Sequence, residues 1–457
     1  MDGDPDMEYP NLENDYRWGQ DAGCGNLQET HETKRFQFTL SSERDLDIVQ
    51  NISTVHPPRS DSGASPPVVV RGVVAFRAID DHDPEIVVDI VTSSDRIEVQ
   101  TSWDSGSQRL VVTTPDHIDD WDLHYRPCVN MMITVWAPGN ADLRRLSVEA
   151  IQLNIVLLEN LSLEVGDRAR LRSVSGSIVG ASRGSKADDD ATSKQGSSSP
   201  NTFEFRSPII GLSTISGPVK GLWPLYRDIL IQSISGGVAT YVEPRESLHG
   251  SETPATLRVE TTSGDLALRE PAKHDLFPSR DYRLDVQSSS GNILVEAGFT
   301  SYASVESISG RIRADLLPIF DASWAGDDTE RSSLRTETTS GNSYITVESP
   351  LWLGGDGAIT TASAFRCLAS RHGSISGRIE LTYPTIWEGR VSLETLSGKR
   401  DVRGPGVEII SGNDKGWPKR PIVAKKGEGS QWVRGETTSG AIVMVVADDD
   451  DATRVSA

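Results

Sequence analysis

The chain has 457 residues, 36% of them apolar, and a formal net charge of −21. That length allows a large core, and the acidic balance argues against nucleic acid or anionic membrane as a partner. No run of eighteen apolar residues occurs, so no transmembrane helix is expected. The acidic start MDGDPDMEYP has no apolar h-region and does not read as a secretory signal. The three cysteines Cys24, Cys128 and Cys367 allow at most one bridge, not a disulfide framework.

In chain order, residues 1–35 are polar and irregular and read as a disordered acidic tail. Residues 36–127 form a β-rich N-terminal region expected to cap the main body of the chain. Its strand candidates are the alternations around Phe36, Phe38 and Leu40, then Leu46 and Ile48, then residues 68–76, 86–92, 96–100 and 109–113. The Ser- and Pro-rich stretch 53–67 between them reads as a loop. Residues 130–137 (NMMITVWA) open the main body, which spans 128–447. Within it, 181–200 (ASRGSKADDDATSKQGSSSP) has the low complexity of a disordered loop. Residues 448–457 form an acidic C-terminal tail.

The main body repeats one phrase, an alternating strand, then Ser-Gly, then another strand. The glycines are Gly176, Gly217, Gly236, Gly264, Gly291, Gly310, Gly341, Gly377, Gly398, Gly412 and Gly440, spaced from 14 to 41 residues apart. Such recurrence predicts an all-β solenoid of stacked coils, with loops of uneven length between them. Counting from the Ser, the apolar parity is even before it, as in Leu257, Val259, Thr261 and Ser263. It slips by one afterwards, as in Leu266 and Leu268. A one-residue slip exposes the core face unless the backbone bends. The glycines are therefore read as structural corners that permit the bend. The Ser and Thr at the corner and two residues before it are expected to form hydroxyl ladders between coils.

Four clusters are candidate sites. Asp116, His117, Asp119, Asp120, Asp122 and His124 are metal-ligand types, but their spacing fits no recognised site, and an exposed acidic turn is the preferred reading. Asp80, Asp81, His82 and Asp83 form a weaker version. His372, in SRHGSISG, is a candidate for a carbohydrate-active β-helix enzyme, which would need paired carboxylates beside it. Trp223, Trp324, Trp352, Trp387 and Trp417 lie near Pro or Gly. They are candidate ligand-surface aromatics, against the alternative that they roof and pack the coils. Trp103, Trp121 and Trp136 read as core or junction residues. No cofactor, metal or catalytic residue is assigned.

The stretch ITVWAPGNADLRRLSVEA (133–150), followed by V-x-T-x-S-G-x-I-x-V units, resembles the adhesin-like β-solenoid domain of unknown function, also called the auto-transporter adhesin head domain. Pro138, Asp142, Leu143, Ser175, Gly176 and Ile178 carry the match. The long Ser/Asp-rich insertions resemble its fungal members. The resemblance covers roughly residues 130–447 and implies a surface or secreted location, for which this chain shows no signal. It implies a non-enzymatic protein that presents an extended surface to a protein or glycan. The alternatives are the carbohydrate-active enzyme and a purely structural protein that assembles through its sheet edges. Two sequons, at Asn51 and Asn160, would accept glycan in a secretory compartment.

Overall fold

A computed structural model describes residues 27, 29–53, 66–79, 83–118, 126–158, 161–181, 203–248, 250, 253–270, 277–321, 332–353, 368–412 and 420–447. Every regular element among these residues is a strand. The chain divides into two compact units, Met1–Pro224 and Leu225–Ala457. Each is a β-solenoid in which successive coils add one parallel strand to each of two sheets, as the Ser-Gly repeat predicts. Residues 1–26, 182–200 and 448–457 of the expected tails and loop lie outside the described residues.

In the first unit, Ser41–Ser53 pairs in parallel with both Arg109–Pro115 and Ala141–Ala150. Ala141–Ala150 pairs onward with Ser162–Ser173, and that strand with Ile209–Thr214. In the opposite sheet, Val69–Ile79 lies between Cys128–Pro138 and Asn154–Leu157, followed by Ile178–Val179 and Val219–Leu225. Strands from either side of residue 127 thus share both ladders. The coil built from Ser41–Ser53 and Val69–Ile79 is first in sequence but second in the stack. The outermost coil is covered by antiparallel strands: Gln100–Asp104 on Arg109–Pro115, and Glu85–Thr92 on Cys128–Pro138.

The second unit runs through Asp228–Ser233, Ala255–Thr261, Tyr282–Ser288, Tyr302–Ser307, Ser333–Thr338 and Ala369–Ser374 in one sheet. It runs through Val238–Pro244, Leu266–Arg269, Ile293–Phe299, Ile312–Asp321, Ser343–Val347 and Ile379–Tyr383 in the other. Then sequence order and stacking order part. Gln431–Thr437 and Ile442–Val446, the last strands in sequence, pair next to Ala369–Ser374 and Ile379–Tyr383. Gly389–Thr395 and Arg400–Arg403 come after them in space. The antiparallel strand Ile422–Lys426 covers Gly389–Thr395, and Val407–Ser411 pairs with Ile422–Lys426 in turn.

The corner chemistry explains the repeat. Leu257, Val259 and Thr261 are buried, and so are Leu266 and Leu268 after the slip. The expected inward Ser263 is instead exposed, and so are Ser290 and Ser439. The inward series stops two residues before the Ser-Gly serine. That Ser turns outward and binds the neighbouring coil: Ser263 Oγ donates to the Ile234 carbonyl at 3.2 Å, Ser290 Oγ to Thr262 at 3.1 Å. The buried hydroxyl two positions earlier accepts the glycine N–H of its own coil, as Thr338 does from Gly341 at 3.0 Å and Ser374 from Gly377 at 2.7 Å. The hydroxyls therefore pin backbone groups that a corner would otherwise leave unpaired, and the expected hydroxyl-to-hydroxyl ladder is replaced by these bonds.

The glycine requirement is one of close approach between coils. A Cβ on Gly341 would lie 2.7 Å from the Gly310 carbonyl carbon and nearer still to its oxygen, and Gly377 meets Gly341 in the same way. Gly412 is not a corner. It closes the antiparallel strand Val407–Ser411 at φ +101°, and its Cβ position faces Pro421 and Ile422 instead of a stacked glycine.

Candidate functional site

Alternation puts half of each strand outward, and parallel register stacks those outward residues in rows about 4.8 Å apart. In the second unit one row reads Tyr302, Ser333, Ala369, Trp432 and Arg390. The row beside it reads Ser304, Arg335, Arg371, Arg434 and Ser392, and the next Glu306, Glu337, Gly373, Glu436 and Glu394. Tyr302 and Trp432 are 38% and 37% exposed, the two aromatic members of the exposed large apolar side chains described. The small Ser333 and Ala369 leave a shallow trough between them.

The trough wall is an ordered ion-pair lattice. Arg335 Nη2 donates to Glu337 at 2.7 Å and its Nε lies 3.4 Å from Glu306. The bond to Glu337 holds the Arg335 guanidinium above its ordinary range. Arg371 reaches Glu436 at 3.2 Å, and Arg434 pairs with the same carboxylate. The arginines are about half exposed and the carboxylates about a third, so the pairs add little to stability. Their effect is to fix donors and acceptors along the wall.

Trp432 is not among the tryptophans that nearness to Pro or Gly marks, although the sequence carries a signal for it. The inward set Val433, Gly435 and Thr437 makes Trp432 and Arg434 outward by parity. Of the candidate surface tryptophans, Trp223 and Trp387 are corrected to core residues, at 0% and 1% exposure. Trp223 Nε1 donates to the Lys220 carbonyl at 3.2 Å. Trp387 packs edge-on to Tyr383 at 5.7 Å between centroids. Nearness to Pro and Gly marks a turn at Trp387, whose backbone N–H bonds the Pro384 carbonyl at 2.9 Å, whereas Trp223 lies within the strand Val219–Leu225 and is buried there. Trp352 is half-buried and tilts against Phe320 at 5.4 Å. Trp324 and Trp417 lie outside the described residues, as does Trp121. Trp103 stacks on Phe36 at 5.8 Å, and Arg77 lies over Trp136 at 5.7 Å.

His372 is wholly buried. Nδ1 bonds the Thr336 hydroxyl at 2.8 Å and Nε2 the Tyr383 hydroxyl at 3.1 Å. Burial lowers its pKa to about 3, so the ring is neutral. The structure thus places it in the core among hydroxyl groups. Glu270 is a second buried titratable group. It accepts the Gly298 N–H at 2.8 Å, and burial raises its pKa to about 8. Asp116 lies 2.5 Å from His117 Nδ1, while Asp119, Asp120, Asp122 and His124 lie outside the described residues, with Asp80, Asp81 and His82. Among the described residues no group of three or more His, Cys, Asp and Glu side chains is placed to hold a metal. No described helix is long and apolar enough to cross a membrane. Asn51 is exposed on Ser41–Ser53, and Asn160 lies outside the described residues. Cys128 is buried and disulfide-bonded, while Cys24 and Cys367 lie outside the described residues.

No family model matches the chain, and no curated protein does. Among solved structures it is similar to one described as a cell adhesion protein from Clostridium sporogenes, with 7% identity and a TM-score of 0.14 over 92% of this chain and 99% of that one. It is also similar to one described as a lipid binding protein from Parabacteroides distasonis, with 9% identity and a TM-score of 0.24 over 90% of this chain and 96% of that one. Likeness at this level carries no argument about function.

Proposed function

We propose that this chain is a non-enzymatic, adhesin-like binding protein that presents its stacked outward rows to an extended ligand, a glycan or a protein chain. The observation that supports this reading is the row from Tyr302 to Trp432, where two half-exposed aromatics stand on a rigid ladder beside a fixed ion-pair lattice. Aromatic and arginine side chains are the commonest anchors of binding surfaces. A site on sheet strands is held more precisely than one on loops. A cell-surface or secreted setting fits the disulfide at Cys128, since such bonds persist in oxidising compartments.

The test is a binding screen of the labelled full chain against arrayed glycans and extracellular proteins. Saturable retention of at least one arrayed ligand, reduced by substitutions in the outward rows, is the expected result. Saturable turnover of a ligand, or no retention on either array, would refute the reading.

A further inference from the structure

We infer that the Tyr302–Trp432 trough seats a linear, uncharged polysaccharide running along the stacking direction. This names a ligand class for the binding reading above and rests on it. Three features lead there.

The first is spacing. Tyr302 pairs with Ser333, Ser333 with Ala369, and Ala369 with Trp432. The two rings therefore stand three ladder steps apart, about 14 Å at about 4.8 Å per step. One ladder step is comparable to the advance of one β-linked hexose. Rings three steps apart can each take a sugar face with the chain lying straight between them. The second is the floor. Ser333 and Ala369 are the smallest outward side chains of this row, so among the described residues of the row no long side chain stands between the two rings. The apolar ring faces suit the C–H faces of pyranoses, and Trp and Tyr make such contacts with few rotamers to freeze.

The third is charge. Arg335, Arg371 and Arg434 form a row, but each is matched. Arg335 meets Glu306 and Glu337, and Arg371 and Arg434 share Glu436. Among the described residues of these rows no row of uncompensated cations remains to select a polyanion, and the chain's net charge of −21 repels one. A guanidinium has five N–H donors, and one carboxylate uses at most two. The wall therefore offers fixed donors, with carboxylate acceptors beside them, to the hydroxyls along a neutral sugar chain.

The experiment is affinity electrophoresis of the full chain in gels containing soluble β-glucan, xylan or mannan, with polygalacturonate as the polyanion. Tyr302→Ala, Trp432→Ala and Ala369→Lys are run beside it, each checked for native circular dichroism. The expected result is retardation by at least one neutral polymer, unchanged between low and high salt. Each aromatic truncation and the floor-filling Ala369→Lys should weaken it about tenfold or more. Retention by polygalacturonate alone, lost at high salt, would overturn the inference while leaving the binding reading in place. So would neutral-polymer binding that all three variants keep, which would put the site elsewhere. Binding of array proteins with no retention by any polysaccharide would also overturn it and leave a protein ligand.

Discussion

Two glycines one coil apart in the second unit should respond to alanine in opposite directions. Gly341 is a corner, and its Cβ would lie 2.7 Å from the Gly310 carbonyl carbon and 3.0 Å from Thr338 Oγ1. Carbon–carbon contacts settle at about 3.5–4.0 Å, so the two coils would have to part by roughly 1 Å at that point. The hydrogen bonds from the Thr339 and Ser340 N–H groups to the Ile308 carbonyl, at 3.1 and 3.0 Å, would then exceed bonding range. Overpacking costs about 1–3 kcal/mol, and two backbone bonds at about 1 kcal/mol each add to it. Gly341→Ala should therefore lose about 3–5 kcal/mol. Gly373 sits on the outer face of Ala369–Ser374, and its Cβ would meet only the Glu337 side chain, nearest at Cγ 3.4 Å away, an ordinary van der Waals contact. Gly373→Ala should gain about 0.4–1 kcal/mol by restricting the unfolded chain. Urea unfolding followed by circular dichroism measures both, with amide exchange across residues 333–347 to localise the loss. If Gly341→Ala came within about 1 kcal/mol of wild type, or the two variants moved together, close approach would not be what selects glycine at the corners.

Thr338→Val removes the acceptor of the buried Gly341 N–H and should cost about 1–3 kcal/mol in the same urea assay, with Thr338→Ser restoring most of it. Glu270 has a folded pKa of about 8 against 4.5 when unfolded, so the native state holds the extra proton and stability falls as pH rises from 4.5 to 8. At about 1.4 kcal/mol per unit the full loss approaches 5 kcal/mol. Glu270→Gln should remove that slope, and parallel pH–stability curves for the two proteins would contradict it. His372 has the opposite sign. Its folded pKa of about 3 lies below the ordinary value of 6.5, so the unfolded state protonates first. Its contribution is complete above about pH 6.5 and is lost as pH falls towards 3, so His372→Gln should flatten the acid limb measured by urea midpoints between those values.

The fold class is legible because alternation and its one-residue slip are written directly in the residues. Leu257, Val259 and Thr261, then Leu266 and Leu268, need only a count of parity. Ser263 breaks the count because it is held by a carbonyl of the preceding coil, a partner that a single phrase does not reveal. The stacking order is not legible either. The phrases ending in Gly398 and Gly440 carry the same local signature, and nothing in either says which follows Gly377. The trough is half legible: parity places Trp432 and Arg434 outside. Its alignment with Tyr302 depends on loop lengths and on the late return of Gln431–Thr437, which no local pattern encodes.

That return bears on how such an array can change length. In a repeat array each coil contacts only its neighbours, so a coil is added or lost without disturbing the others where its neighbours in sequence are also its neighbours in space. In the second unit the last coil in sequence is not the last coil in the stack: Gln431–Thr437 is wedged between Ala369–Ser374 and Gly389–Thr395. A stop codon after residue 430 would remove an inner rung and leave the outer one facing a gap. A repeat added after Val446 would emerge beside an already occupied position. In this unit, lengthening by whole coils is therefore restricted to the sequential stretch between Asp228 and Tyr383, where each coil hands on to the next.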